Sequence, residues 1–203
     1  MRKRLLATLL AVLMVFSLLP ATALADTGAS SSAAVAEVNG RGQYTTLADA
    51  FAAATDGDTV KLLANVSSST NVIAAVAGNN ITFDLNGFTV SFTGNAGITV
   101  KGNGTALTVT DLSGGQTGAV SVSRQYIFHT TTNSQVIIDG GIYTGKTLKS
   151  ASSGPVTING GKYNMDVDGD GVTVTATYVV YNGLSHNNSN TRDETAAAYA
   201  RYT

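Results

Sequence analysis

The chain has 203 residues, no cysteine, no tryptophan and a formal net charge of −1. Without cysteine there is no disulfide scaffold, thiolate zinc site, iron–sulfur cluster, thiol nucleophile or cysteine-linked lipid anchor. Twelve basic residues against thirteen acidic ones, with no basic run beyond residue 4, offer little to a phosphate backbone, so nucleic acid is not expected as a partner.

Residues 1–25 read as a secretory signal peptide. Arg2-Lys3-Arg4 is a positive start, Leu5 to Leu19 is an apolar stretch, and Pro20 breaks it. Ala23 and Ala25 then set small residues at −3 and −1 before Asp26. The competing reading is a membrane-spanning helix, but about fifteen apolar residues fall short of the roughly twenty needed. No later run reaches that length, so no membrane span is expected after cleavage. Residues 26–36, mostly Ser, Ala, Gly and Thr, read as a flexible leader. All twenty-two glycines and all fifteen asparagines lie beyond residue 25, as do twenty-six of the twenty-eight threonines, with Pro155 as the single proline there. Such a composition favours strands and turns over helices.

One helix is expected. Thr46-Leu47-Ala48-Asp49 resembles a capping box with a shortened acid, and Leu47, Ala50, Phe51 and Ala54 fall on one helical face. Asp56-Gly57-Asp58 stops it before a strand at Thr59 to Leu63. Four segments then repeat an alternating apolar pattern: Ile81 to Val90, Ala106 to Asp111, Val136 to Gly141 and Val156 to Gly161. Their acid or amide positions, Asp84, Asp111, Asp139 and Asn159, are 27, 28 and 20 residues apart. Repeats of that length built from strands and turns point to an all-β solenoid, a parallel β-helix with single-strand coils, in preference to a β-sandwich. The helix at 46–54 would cap the open end. The folded domain is expected over 37–181. Thr173 to Tyr181 reads as its last strand, and 182–203 as a polar tail in which Asp193 to Tyr202 has the composition of a short helix.

Tyr44 to Ala54, followed by Asp56-Gly57-Asp58-Thr59-Val60, resembles the N-terminal cap and first strand of pectate-lyase-like right-handed β-helices. Ile81 to Val90, Leu107 to Gly115 and the Gly-Gly-Ile-Tyr and Gly-Gly-Lys-Tyr turns at 140–143 and 160–163 resemble coils of secreted surface proteins of Gram-positive bacteria. The resemblance covers roughly residues 40 to 164. It implies a right-handed hand for the β-helix and secretion or display on a bacterial cell surface. It carries no catalytic residue across, because no lyase motif matches.

Three groups of residues are candidates for chemistry. Asp84, Asp111 and Asp139 hold comparable places and could stack as a carboxylate ladder, although turns use Asp and Asn in the same way. Arg124, Tyr126 and Phe128 lie in the most aromatic stretch, where two rings on one strand face would suit a sugar if outward and could equally turn inward as core. Asp166, Asp168 and Asp170, with Gly171 sixth, match the start of a calcium loop, whereas Thr177 stands at the twelfth place, where the loop wants Glu. The expected function is a non-catalytic, secreted module that presents a long Thr/Ser/Asn-rich face for adhesion to carbohydrate or another cell-surface ligand, with calcium as a possible structural ion. The alternatives are a lyase or hydrolase acting on acidic polysaccharide, and a structural stalk.

Overall fold

The computed structural model describes residues 33–75, 78–95, 97–123, 126–131, 133–150, 154–167, 171–175, 180–182 and 200–202, with backbone alone at 166, 174, 180–182 and 200–202. The expected signal peptide lies outside these residues, as does the leader up to residue 32.

The helix forms where the sequence places it. Helix α1 spans Leu47–Ala53; Thr46 is its N-cap, accepting a hydrogen bond from the Asp49 amide at 3.1 Å and donating one to the Asp49 carboxylate at 2.6 Å. These bonds satisfy one of the free amides of the first turn and set an acid against the positive helix end. The stop is also local, with Ala54 extended and Gly57 at φ +80°. Leu47, Ala50 and Phe51 are buried, so seven residues that would be marginal alone are held by packing.

The remaining structure is strand. One sheet has eight strands: β1 (Ala36–Val38), β2 (Gly42–Tyr44), β3 (Thr59–Leu62), β6 (Asn80–Asp84), β9 (Thr105–Thr110), β12 (Ser134–Ile138), β14 (Val156–Ile158) and β16 (Val172–Val174). The main path of the second sheet is β4 (Val66–Ser68), β7 (Thr89–Phe92), β10 (Ala119–Val122), β13 (Ile142–Lys149), β15 (Lys162–Asp166), β17 (Val180–Asn182) and β18 (Ala200–Tyr202). Strands β5 (Val72–Ala75), β8 (Ile98–Val100) and β11 (Tyr126–Thr130) join this second sheet where β11 pairs with β13.

Pairing is parallel throughout except at the start, where β1 runs antiparallel to both β2 and β3. The expected class needs correcting here. Two sheets of mainly parallel strands form a half-barrel with one short helix, which points to an α/β-type fold in place of the all-β, single-strand, right-handed parallel β-helix solenoid read from the sequence. Alternation and turn spacing specify strands and their lengths; they do not specify how the sheets close on one another. Two strand boundaries differ as well. Ile81 to Val90 is not one strand: it breaks between β6 and β7 at Asn86 and Gly87, with φ of +46° and +80°. The expected strand from Thr173 to Tyr181 is likewise two, β16 and β17. At the other end, residues 200–202 of the expected terminal helix form β18, paired with β17.

The register builds the core. Val60, Phe83, Val109, Ile138 and Ile158 stack in successive strands of the first sheet, and Val90, Val120, Tyr143 and Tyr163 in the second. All nine are 0–1% exposed and belong to one apolar cluster. Helix α1 packs against it through Phe51, whose ring meets Phe83 edge-on at 5.1 Å. Among the described residues no helix is long and apolar enough to cross a membrane.

Candidate functional site: an outward threonine row

The acids identify first what is not available for chemistry. Asp84 Oδ1 accepts from the amides of Asn86 (2.9 Å) and Leu112 (3.0 Å). Asp111 accepts from the amides of Gly87 (2.9 Å), Ser113 (3.2 Å) and Gly118 (2.6 Å). Each carboxylate thus closes its own turn and holds an amide of the neighbouring layer. The two residues are 3% and 4% exposed. Burial works to raise the Asp111 pKa, but the Ser113 side chain and these three amides outweigh it and hold the carboxyl below its usual range. Asp58 is also lowered, first by the Thr55 amide, against the opposing effect of burial, then by the Thr55 hydroxyl and the paired Arg41 guanidinium.

Asp84 and Asp111 thus take the turn role, and no carboxylate ladder forms, because the register slips by one residue. Asp84 pairs with Thr110, and Val109 pairs with Ile138, so Asp111 falls one position beyond Asp84 and Asp139. Asp139 is exposed and accepts from the Asn159 amide group at 2.8 Å.

The Gly-Gly-Ile-Tyr and Gly-Gly-Lys-Tyr motifs serve a packing role. Tyr143 and Tyr163 point inward, stack at 5.2 Å with 13° between their planes, and donate back to the carbonyls of Gly140 (2.8 Å) and Gly160 (2.7 Å). Gly141 and Gly161 have φ of +96° and +100°, and a Cβ on Gly161 would lie 3.0 Å from the Tyr163 hydroxyl. Burial, with Asp111 and Asp139 nearby, pushes the Tyr143 phenol well above 10.0.

These shifts give a pH profile with two slopes. Below about pH 4 the unfolded chain takes up protons that folded Asp58 and Asp111 refuse, so stability falls as pH drops through their lowered values. Above about pH 10 unfolded tyrosine ionises while Tyr143 stays neutral, so stability falls again. Thermal midpoints measured from pH 2 to 11 should form a plateau with both shoulders. Asp111→Asn should flatten the acid shoulder, and Tyr143→Phe the alkaline one.

The outer faces differ in how their hydroxyls are used. On the eight-stranded sheet, Thr59, Thr82, Thr108, Ile137, Thr157 and Thr173 occupy one register row across six adjacent strands. They alternate with the buried row described above and are half-buried or exposed. Among the described residues, none of the five threonine hydroxyls in this row has a hydrogen-bond partner, whereas on the second sheet four of the five members of the outward row Ser67, Ser91, Ser121, Thr144, Asn164 are bonded in pairs. There Ser121 donates to Ser91 at 3.1 Å and Asn164 to Thr144 at 3.4 Å. Beside the threonine row run Asn80, Ala106 and Gln135 on one flank and Lys61, Asp84, Thr110, Asp139, Asn159 and Thr175 on the other. Lys61 lies 3.9 Å from Glu37, and Asp139 and Thr175 are both tied to Asn159.

The residues expected to bind ligand fare differently. Phe128 is fully buried and packs against Tyr143 at 6.2 Å, so it is core and not a stacking platform for sugar. Ile127 is buried too: two consecutive side chains of β11 enter the core, which breaks the alternation that would have put Tyr126 and Phe128 on one outer face. Tyr126 is half-buried, with its ring 5.6 Å from that of His129. Arg124 lies outside the described residues. Asp166 ends β15, while the side chain of Asp166 and all of Asp168, Asp170 and Thr177 lie outside the description. Beside Gly171 lie the Lys149 ammonium, on a residue 8% exposed, and Pro155. Among the described residues no three acidic or imidazole side chains converge as a metal site.

An apolar groove of about 430 Å³ runs between α1 and β5, lined by Ala48, Phe51, Ala52, Ile73, Ala74 and Ile81 among others. Facing alanines leave this space, and it holds no charged group. A Thr-rich outer face is legible in the sequence, since the middle Thr of Ile81-Thr82-Phe83, Leu107-Thr108-Val109 and Val156-Thr157-Ile158 recurs between two apolar residues; which threonines share one row is set by register.

No family model matches the chain, and neither the curated proteins nor the solved structures contain a match. Nothing found identifies a pectate-lyase-like protein.

Proposed function

We propose that this chain is a non-catalytic, secreted binding module that attaches to carbohydrate on a cell surface through the outer face of its eight-stranded sheet. One observation carries the reading: five threonine hydroxyls stand in register across six strands with no protein partner among the described residues. A row of fixed hydroxyls on a paired sheet loses little conformational freedom when it meets a polyhydroxylated polymer. β-Branched threonine adds stiffness at χ1. A lyase or hydrolase reading has less support, since Asp58, Asp84 and Asp111 spend their carboxylates on backbone and side-chain hydrogen bonds within the fold.

The test is a glycan array run beside an assay for unsaturated sugar products, with and without calcium. The expected outcome is binding without product. Product formation that vanishes on chelation overturns this reading in favour of an enzyme. Binding that survives both Thr108→Glu and Thr157→Glu, in variants with unchanged melting, removes the threonine face from it.

A further inference from the structure

We infer that the ligand of the threonine face is an uncharged linear polysaccharide lying across the strands, along the row itself. This rests on the binding reading above and narrows it in direction and charge. Direction follows from the spacing. Neighbouring strands lie about 4.8 Å apart, so six strands present equivalent side chains over roughly 24 Å. Along one strand the same face offers few outward residues, and of unlike kind, such as Asn80 and Thr82 in β6 or Gln135 and Ile137 in β12. Only across the strands does a repeating polymer meet a repeating partner. Ile137 interrupts the hydroxyls at the fourth place and offers an apolar contact to a ring face.

Charge sets the class. Lys61, at one end of the flanking row, has Glu37 at 3.9 Å. Asp84 is 3% exposed and holds two amides, and Asp139 is held by Asn159. Among the described residues of the threonine row and its two flanks there is no second cation. A uronate polymer would therefore bring a carboxylate every sugar or two to a surface with no matching positive charge and with Asp139 beside it, which disfavours it. A neutral polymer meets hydroxyls, carboxamides and one aliphatic side chain.

The experiment is affinity electrophoresis of the full chain in native gels containing soluble neutral polymers (mixed-linkage glucan, glucomannan, xylan) or acidic ones (polygalacturonate, alginate). The expected result is retardation in at least one neutral polymer, at least tenfold stronger than in either acidic one and unchanged by about 0.3 M salt, which shortens the screening length to several ångströms. Thr108→Glu and Thr157→Glu should each abolish it; Ser91→Glu, on the other sheet, should leave it intact. Thr108→Val keeps the branched shape and guards against misfolding, and should weaken retardation severalfold with melting unchanged. Retardation by acidic polymers that salt removes and Thr108→Glu weakens overturns the charge class while sparing the binding face. Retardation that none of the threonine variants alters overturns both, as does a lack of retardation in every gel.

Discussion

Asp111→Ala should cost the fold about 3–5 kcal/mol, because it leaves three amides, that of Gly118 buried, without the acceptor of a residue only 4% exposed. The amides belong to Gly87, Ser113 and Gly118, so the loss spans two neighbouring layers and both sides of the turn between β9 and β10. The turn cannot relax easily around a smaller residue. A Cβ on Gly118 would already lie 2.5 Å from the Leu85 Cβ, which shows how closely the backbone is packed there. Asp111→Asn should fall between wild type and Ala: one oxygen is kept, but an amino group would face the Gly118 amide across 2.6 Å, donor against donor. Asp139→Ala is the internal control. Asp139 is exposed and its carboxylate accepts from the Asn159 side chain, so its loss should stay within about 0.5 kcal/mol. Urea unfolding of the three variants checks the order. An Asp111→Ala cost below about 1 kcal/mol would mean that these bonds are not made in solution.

Phe83→Ala should be comparably severe, at about 3–5 kcal/mol, which lowers the melting temperature of a chain this size by roughly 10 °C. Phe83 is fully buried in β6 and stands where three parts of the protein meet: the inward row of the eight-stranded sheet, the core, and the Phe51 ring of α1 at 5.1 Å and 68°. Removing it opens a cavity and withdraws the edge-on partner that holds the helix. Seven residues of helix have little stability of their own. Amide exchange at Ala50 to Ala54 should therefore accelerate more than exchange in β12 and β14. Combining it with Phe51→Ala in a double-mutant cycle should give a coupling of about 0.5–1.5 kcal/mol. Uniform acceleration across all strands, with no excess at the helix, would contradict the role given to this ring pair.

How far these features could be read from the sequence depends on whether their cause is local. The helix is written in Thr46, Asp49, the apolar positions at 47, 50, 51 and 54, and Gly57, all within a dozen residues, and it forms there. The strands are legible for the same reason, since alternation needs only neighbours. What was misread depends on partners far along the chain. Aligning Asp84 with Asp111 by their shared motif left a carboxylate ladder open beside the turn role they take; the sheet pairs Asp84 with Thr110, because Phe83 and Val109 must both point inward. The core decides register, and the motif does not. Phe128 follows the same logic. Alternation would put it on one face with Tyr126, but β11 buries Ile127 and Phe128 together, and nothing within the segment signals that break. The half-barrel assembly of the two sheets is the least local feature of all.

The threonine face is an intermediate case. Each Thr between apolar neighbours is visible singly, but that five of them fall into one row with their hydroxyls unbonded depends on a register that only the folded sheets supply. Titrating a neutral oligosaccharide into threonine-methyl-labelled protein, and following Thr59, Thr82, Thr108, Thr157 and Thr173 by NMR, tests that assignment most directly. The account predicts shifts concentrated on those five methyls and on Ile137, with Thr144 and Thr89 on the other sheet unmoved. Shifts concentrated around Tyr126 and His129, or along the groove between α1 and β5, would contradict it.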